Sequence, residues 1–353
     1  MRPSSATWQT ADERAVSEIM GVTMLLAMVI STMAGVVVVM QPFMDALTDN
    51  RDWTAGSVAA TQFNDRILVA AESPPGTGIV VNSQHISDTL KPLRNAEIWK
   101  FSADLFGHDR VEVSLTNGLF NVTSLNGTAA TVEIRTEVGT DSWSLQEGEG
   151  ENSTNLSMQN WMVIDIMDSE DHLIHRWVQV PLDGIQLRTP LNEGTFQISL
   201  INGALIEQRA NQPIEVQSYP RLDYERTLEG GLRVSLVLID VEISGIERSV
   251  DQSIDVESQG ALLFFDHEAR NLKIMPEFTG VDNPESRYLR HWTDAYDLHR
   301  ATGDSAEYTG FGPNGRVSGA EGMTLYPSTE DFHFDVILQQ VVIQFIYMLM
   351  VLL

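Results

Sequence analysis

The sequence predicts an α+β chain: one long hydrophobic helix at its N-terminal end, then a mainly antiparallel, sandwich-like β head. Three observations predict it. From Ile19 to Met40 about 22 residues carry no charge, and as a helix they span roughly 33 Å, enough to cross a bilayer core. From Met44 to about Ala71 apolar residues recur at helical spacing among acids. After Gly78 the chain turns to short β-branched runs separated by turn residues.

Taken in order, Met1–Ala15 is a polar leader with no apolar core of its own. Val16–Met40 is the apolar helix, and Pro42 predicts a bend or break near Gln41–Phe43. Leu47, Val58, Phe63, Ile67 and Leu68, set among Asp45, Asp49, Asp52, Asp65 and Arg66, read as an amphipathic continuation. Ser73-Pro74-Pro75-Gly76-Thr77-Gly78 ends it. The chain thus divides into a leader (1–15), a helix (16–72) and a head (73–353).

Within the head, strands are expected at Ile79–Val81, Ile98–Phe101, Val111–Leu115, Thr131–Thr136, Trp161–Ile166, Ile174–Val180, Thr195–Leu200, Ile214–Ser218 and Leu232–Ile243. Asn117-Gly118, Asn126-Gly127 and Asn202-Gly203 fall where hairpin turns belong. Pro284–His299 reads as a short helix and Gly303–Gly322 as a glycine-rich loop. Phe332–Leu353 has two readings. Phe332-His333-Phe334-Asp335-Val336 alternates like a head-closing strand, whereas Val336–Leu353 is apolar enough to be a second membrane segment of about 27 Å.

The net charge is -27, from 49 acids against 22 bases, and only Lys91, Lys100 and Lys273 are lysines. Such a surface suits a high-salt or marine exterior, where screening weakens self-repulsion. It argues against nucleic acid as a partner, because phosphate binding needs basic patches. With no cysteine, disulfides, a lipobox, a thiol nucleophile and Cys-ligated zinc are excluded.

A secretory signal has a shorter apolar core with a small-x-small cleavage site after it. Here the processing-like boundary, Arg14-Ala15 then Val16, precedes the apolar run. Arg14-Ala15-Val16-Ser17-Glu18-Ile19-Met20-Gly21-Val22 resembles the opening of archaeal type IV pilins and archaellins, of haloarchaeal character. The resemblance covers Arg14 to about Ala71. It implies an N-terminus in the cytoplasm, cleavage after Ala15 by a prepilin peptidase, and assembly by an ATPase-driven machine into filaments with the helices inside and extracellular heads outside. The head is much larger than that of small major pilins, which points to a minor or adhesive subunit.

Glu18 sits at the edge of the apolar run, where a carboxylate is expensive unless paired or hydrated. In the family an acid near the mature N-terminus pairs with the freed amine of a neighbouring subunit. In bacterial pilins that acid lies further along, so Glu18 departs from their pattern. Thr23, Ala27, Ser31 and Gly35 lie four apart, near one helix face, where small side chains let helices approach closely. Four glycosylation sequons begin at Asn121, Asn126, Asn152 and Asn155, in keeping with a head outside the cell.

Catalytic signatures are weak. His172 and His175 lie three apart in a strand-like context, which puts them on opposite faces. The run Asp165–Asp171 lacks the glycine and terminal glutamate of a calcium loop, and reads as solvated. No nucleophile elbow, zinc-protease helix, P-loop or dinucleotide fingerprint is present, so no catalytic residue, metal site or cofactor is expected. Two function classes follow: a filament subunit partnered by the membrane, the peptidase, the assembly machinery and copies of itself or other pilins, or a non-polymerising membrane-anchored surface glycoprotein whose β ectodomain binds a ligand.

Overall fold

The computed structural model describes residues 7–82, 89–105, 111–116, 119–147, 149–153, 161–192, 194–210, 212–226, 232–244, 253–269, 271–278, 306–309, 322–325 and 332–346. One helix, α1 (Thr7–Ala71), comes first. Then follow β1 (Gly78–Asn82), β2 (Thr89–Asp104), β3 (Val111–Thr116), β4 (Leu119–Ser124), β5 (Ala129–Thr136), β6 (Gly139–Ser144), β7 (Glu149–Ser153), β8 (Met162–Asp168) and β9 (Leu173–Leu191). The remainder are β10 (Gly194–Ile201), β11 (Ala204–Gln208), β12 (Glu215–Ser218), β13 (Leu222–Arg226), β14 (Leu232–Ser244), β15 (Ser253–Glu268), β16 (Asn271–Phe278), β17 (Ala306–Thr309), β18 (Gly322–Leu325) and β19 (Phe332–Ile346). The expected α+β class is the observed one.

The chain forms two compact units, Met1–Thr54 with Leu191–Glu193, and Ala55–Pro190 with Gly194–Leu353. In the first, Asp49 of α1 accepts hydrogen bonds at 2.9 Å from both the backbone N and the Nδ2 of Asn192. The helix runs through Pro42 with no break, contrary to expectation. Proline removes one hydrogen bond, to the carbonyl four residues back, and the ladder on either side carries the helix across.

In the second unit the last turns of α1 carry a buried stripe of Ala59, Ala60, Phe63, Asn64, Ile67, Ala70 and Ala71. Leu47 and Val58, expected on that stripe, are exposed instead. Alanines take their place because small side chains let the helix backbone approach the strands. Ser57 Oγ donates to Glu207 Oε1 on β11, and Asn64 Nδ2 donates to the Gly203 carbonyl at 3.2 Å. The Ser-Pro-Pro-Gly breaker ends α1 as expected, and Ser258 of β15 ties it down through Gly76 N, Thr77 O and Ser73 O.

Among the described residues the head forms three sheets. A five-stranded sheet runs β1-β15-β19-β14-β13, a larger one runs β12-β11-β10-β9-β2-β16-β18-β17 with β8, β5 and β6 branching from β9, and a small one runs β3-β4-β7. Among the described strands, pairing is antiparallel except that β14 and β19 run parallel along 13 register pairs, Leu232↔Phe332 to Ser244↔Gln344. The two larger sheets sandwich one core, in which Trp99 and Phe101 (β2), Val178 and Val180 (β9), Leu236 and Leu238 (β14), Phe265 (β15) and Phe334 (β19) are buried. A second core holds Phe120 and Val122 (β4), Val132 and Ile134 (β5), and Ile164 and Ile166 (β8). Val163 of β8 belongs to the first core and Ile164 to the second, so β8 is buried on both faces. That accounts for the consecutive apolar residues Met162, Val163 and Ile164 at its start.

Asn202-Gly203 makes the β10–β11 hairpin, both residues having positive φ (54° and 72°), as a type I′ turn requires. Asn126-Gly127 is a turn but not a hairpin: it joins β4 to β5, which lie in different sheets. Asn117-Gly118 and the Pro284–His299 helix lie outside the described residues. The expected loop Gly303–Gly322 contains β17, paired with β18. Residues 332–346 form a strand between β15 and β14, so the reading of that stretch as a membrane segment does not hold. Its partners on both sides satisfy its backbone and its inward alternation.

Candidate functional site

The apolar part of α1 is the first candidate. It is the one described helix long and apolar enough to cross a membrane. Among Val16–Met44 none of the side chains is buried; Met24 is 78% exposed and Val38 68%. Burying one such side chain is worth about 1.5–3 kcal/mol, so this uncovered run is one that a membrane or another apolar partner could cover. Thr23 Oγ1 bonds the carbonyls of Ile19 (2.8 Å) and Met20 (3.0 Å), and Thr32 Oγ1 those of Met28 and Val29. These hydroxyls are satisfied inside the helix and tolerate an apolar surround.

Thr23, Ala27, Ser31 and Gly35 are all exposed, and a Cβ at Gly21 or Gly35 would meet nothing within 4 Å. Glu18 is exposed at the head of the run. Arg14, Ala15 and Val16 lie along the backbone of α1. Of the sequon asparagines, Asn126 is exposed in its turn, Asn121 is half-buried on β4, Asn152 lies on β7, and Asn155 falls outside the described residues.

The head holds several polar clusters. His172 is exposed and His175 buried, separate as expected. His175 Nδ1 lies 2.8 Å from Asp104 Oδ1, and its Nε2 3.1 Å from Ser102 Oγ. The order acid, imidazole, hydroxyl is that of a nucleophile triad, but His175 is 2% exposed and the network serves to satisfy polar groups inside the β2–β9 pair. Asp165, expected in a solvated loop, is buried on β8: Arg176 bonds it at 2.5 and 2.8 Å and Arg135 at 2.6 Å. Burial strips most of its hydration, and two guanidinium groups compensate its charge. Asp168 keeps the expected turn role. The Glu170 and His172 N–H groups donate to it, and the His172 contact chiefly holds its carboxyl below the usual range.

Near the bulge in β2, where Leu93↔Gly184 steps to Glu97↔Leu182, Asp183 accepts from Asn95 N (2.7 Å) and Arg94 Nη1 (2.5 Å). That bond raises the Arg94 pKa. From the other sheet, Asp240 Oδ1 on β14 accepts the Asp183 N–H at 2.7 Å. Burial, reinforced by Asp183 and Glu242, pushes the Asp240 carboxyl up to about 7.

One group of potential metal ligands, missed from the sequence, is present among the described residues: Asp266, His333 and Asp335. His333 Nε2 lies 2.6 Å from Asp266 Oδ1 and 3.1 Å from Asp335 Oδ1. The His333 contact holds the Asp266 carboxyl below its usual range. Nearby, burial and then the Arg176 charge lower the His267 pKa.

Comparison of the chain with protein-family models, characterised proteins and solved structures finds no match.

Proposed function

We propose that this chain is a type IV pilin-like subunit of an archaeal cell-surface filament, trimmed after Ala15 and assembled through its N-terminal helix, in a minor or adhesive role. The observation that carries the reading is the Arg14-Ala15-Val16 boundary directly ahead of an uncharged helical run with no buried side chain among Val16–Met44. Cleavage there leaves the hydrophobic segment on the mature protein, as a filament core requires.

In this reading, the leader and N-terminus start in the cytoplasm and the acidic, sequon-bearing head lies outside the cell. The helix waits in the membrane until the machinery extracts it. Close packing along Thr23, Ala27, Ser31 and Gly35 then holds copies together, since dispersion and close approach drive association in an apolar medium. Glu18 sets the register by meeting the amine freed on a neighbour's Val16. The strand at 332–346 supports the proposal, because it removes most of the segment that would otherwise have served as a second anchor.

The test is mass spectrometry of the N-terminal peptide of protein recovered from the cell surface. A mature start at Val16 is expected. An intact leader would sink the proposal and leave a static, membrane-anchored surface glycoprotein whose head binds a ligand.

A further inference from the structure

We propose that Asp266, His333 and Asp335 form a binding site for one divalent transition-metal ion of the zinc type. The three donor atoms lie within 4.8 Å of one another. They come from two adjacent strands in fixed register: Asp266 of β15 pairs directly with Asp335 of β19, and His333 is two residues before Asp335 on the same face. An irregularity in β15 between Leu263 and Phe265 sets this up. Such a step re-aims the side chains beyond it. Phe265 then faces the core with its partner Val336, and Asp266 the opposite side with Asp335.

The geometry is more than a group of acids on a surface. An imidazole nitrogen lies between two carboxylate oxygens, at 2.6 and 3.1 Å. Ligands about 2.0–2.2 Å from a tetrahedral zinc stand roughly 3.3 Å apart, so a metal needs the 2.6 Å contact to open by about 0.7 Å and the 3.1 Å contact by about 0.2 Å. The Asp335 side chain is 3% exposed, and its other oxygen is held by Arg233 Nε (2.6 Å) and Ser235 Oγ (2.9 Å), both from β14. These bonds aim Oδ1 at the site, as outer partners of metal ligands do. Asp266 and His333 are partly exposed, which gives an ion a way in and leaves a coordination position for water or an outside ligand. Glu268, the register partner of His333, is exposed on the same face. One imidazole with two carboxylates suits Zn²⁺, Mn²⁺ or Co²⁺; an oxygen-only set would suit Ca²⁺.

The experiment titrates chelator-stripped, full-length protein in detergent with ZnCl₂ by calorimetry and with CoCl₂ by visible absorption. One saturable equivalent is expected, weakened at least about 10-fold in both His333→Ala and Asp266→Asn, with Ca²⁺ failing to compete at equal concentration. Asp266→Asn alters a half-exposed side chain and keeps its shape, so it reports binding even if His333→Ala disturbs the sheet. Non-saturating binding that both variants leave unchanged would mean diffuse attraction to an acidic surface and would overturn the proposal. Displacement of Zn²⁺ by equal Ca²⁺ would overturn it too.

Discussion

Replacing Asp240 with Asn tests how β14 is tied to β9 across the core. Asp240 accepts the Asp183 backbone N–H while facing Asp183 and Glu242, and its carboxyl is raised from 3.8 to about 7. At 1.36 kcal/mol per tenfold change in proton affinity, ionising it in the folded state costs at most about 4 kcal/mol. Solvent reaches this half-buried group, so about 2 kcal/mol is the working figure. The sign follows from linkage: the folded carboxyl holds its proton more tightly than the unfolded one. Its contribution is therefore intact below about pH 4, is lost between about pH 4 and 7, and is constant above that. Asn keeps an oxygen for the Asp183 N–H and cannot ionise. Urea unfolding of both proteins in detergent, followed by tryptophan fluorescence across this range, should show equal stability at low pH. The variant should pull ahead through the window, to about 2 kcal/mol at pH 8. Parallel pH profiles would refute the reasoning, since the carboxylate would then be adequately solvated in the fold.

Three further outcomes are expected. Arg176→Met leaves the buried Asp165 with Arg135 as its remaining guanidinium partner among those described, and should cost about 3–5 kcal/mol in the same unfolding assay. Asn64→Ala removes the donor to the Gly203 carbonyl beneath α1 and should cost about 1–3 kcal/mol, read from the urea midpoint. Gly35→Leu should leave head folding unchanged by circular dichroism, because Gly35 is exposed and a Cβ there meets nothing within 4 Å, yet, on the proposed function, abolish filaments seen by electron microscopy. Normal filaments from that variant would count against close helix packing at Gly35.

The elements that could be read from sequence are those whose pattern is set locally. The uncharged run of α1, its Ser-Pro-Pro-Gly stop, the Asn202-Gly203 turn and the strand run of β14 each rest on a few neighbouring residues. The strands that escaped notice depend on partners far along the chain. Strand β6, Gly139–Ser144, is polar and almost wholly exposed, and it is a strand only because β5 offers it an edge. Strand β15 loses its alternation at two register shifts, near Gly260 and near Leu263–Phe265, so its apolar residues no longer recur every second position. The parallel pairing of β14 with β19 joins segments about ninety residues apart, a relation that periodicity within either strand does not encode.

The same physics separates the two candidate sites. The helix segment is legible because its chemistry is a property of one contiguous run, and hydrophobicity adds along the sequence. The Asp266, His333 and Asp335 group is not, because residues 67 positions apart become neighbours only through β15–β19 register. A one-residue slip of β15 would turn Asp266 into the core and dissolve the group. Sequence showed His333 and Asp335 in alternation with Phe332 and Phe334, the mark of a strand with one polar face. What that face meets is decided by Arg233 and Ser235 on one neighbour and Asp266 on the other. A buried Asp335 in a strand is costly without such partners, so its presence there is itself the signal that the neighbouring strands supply charge.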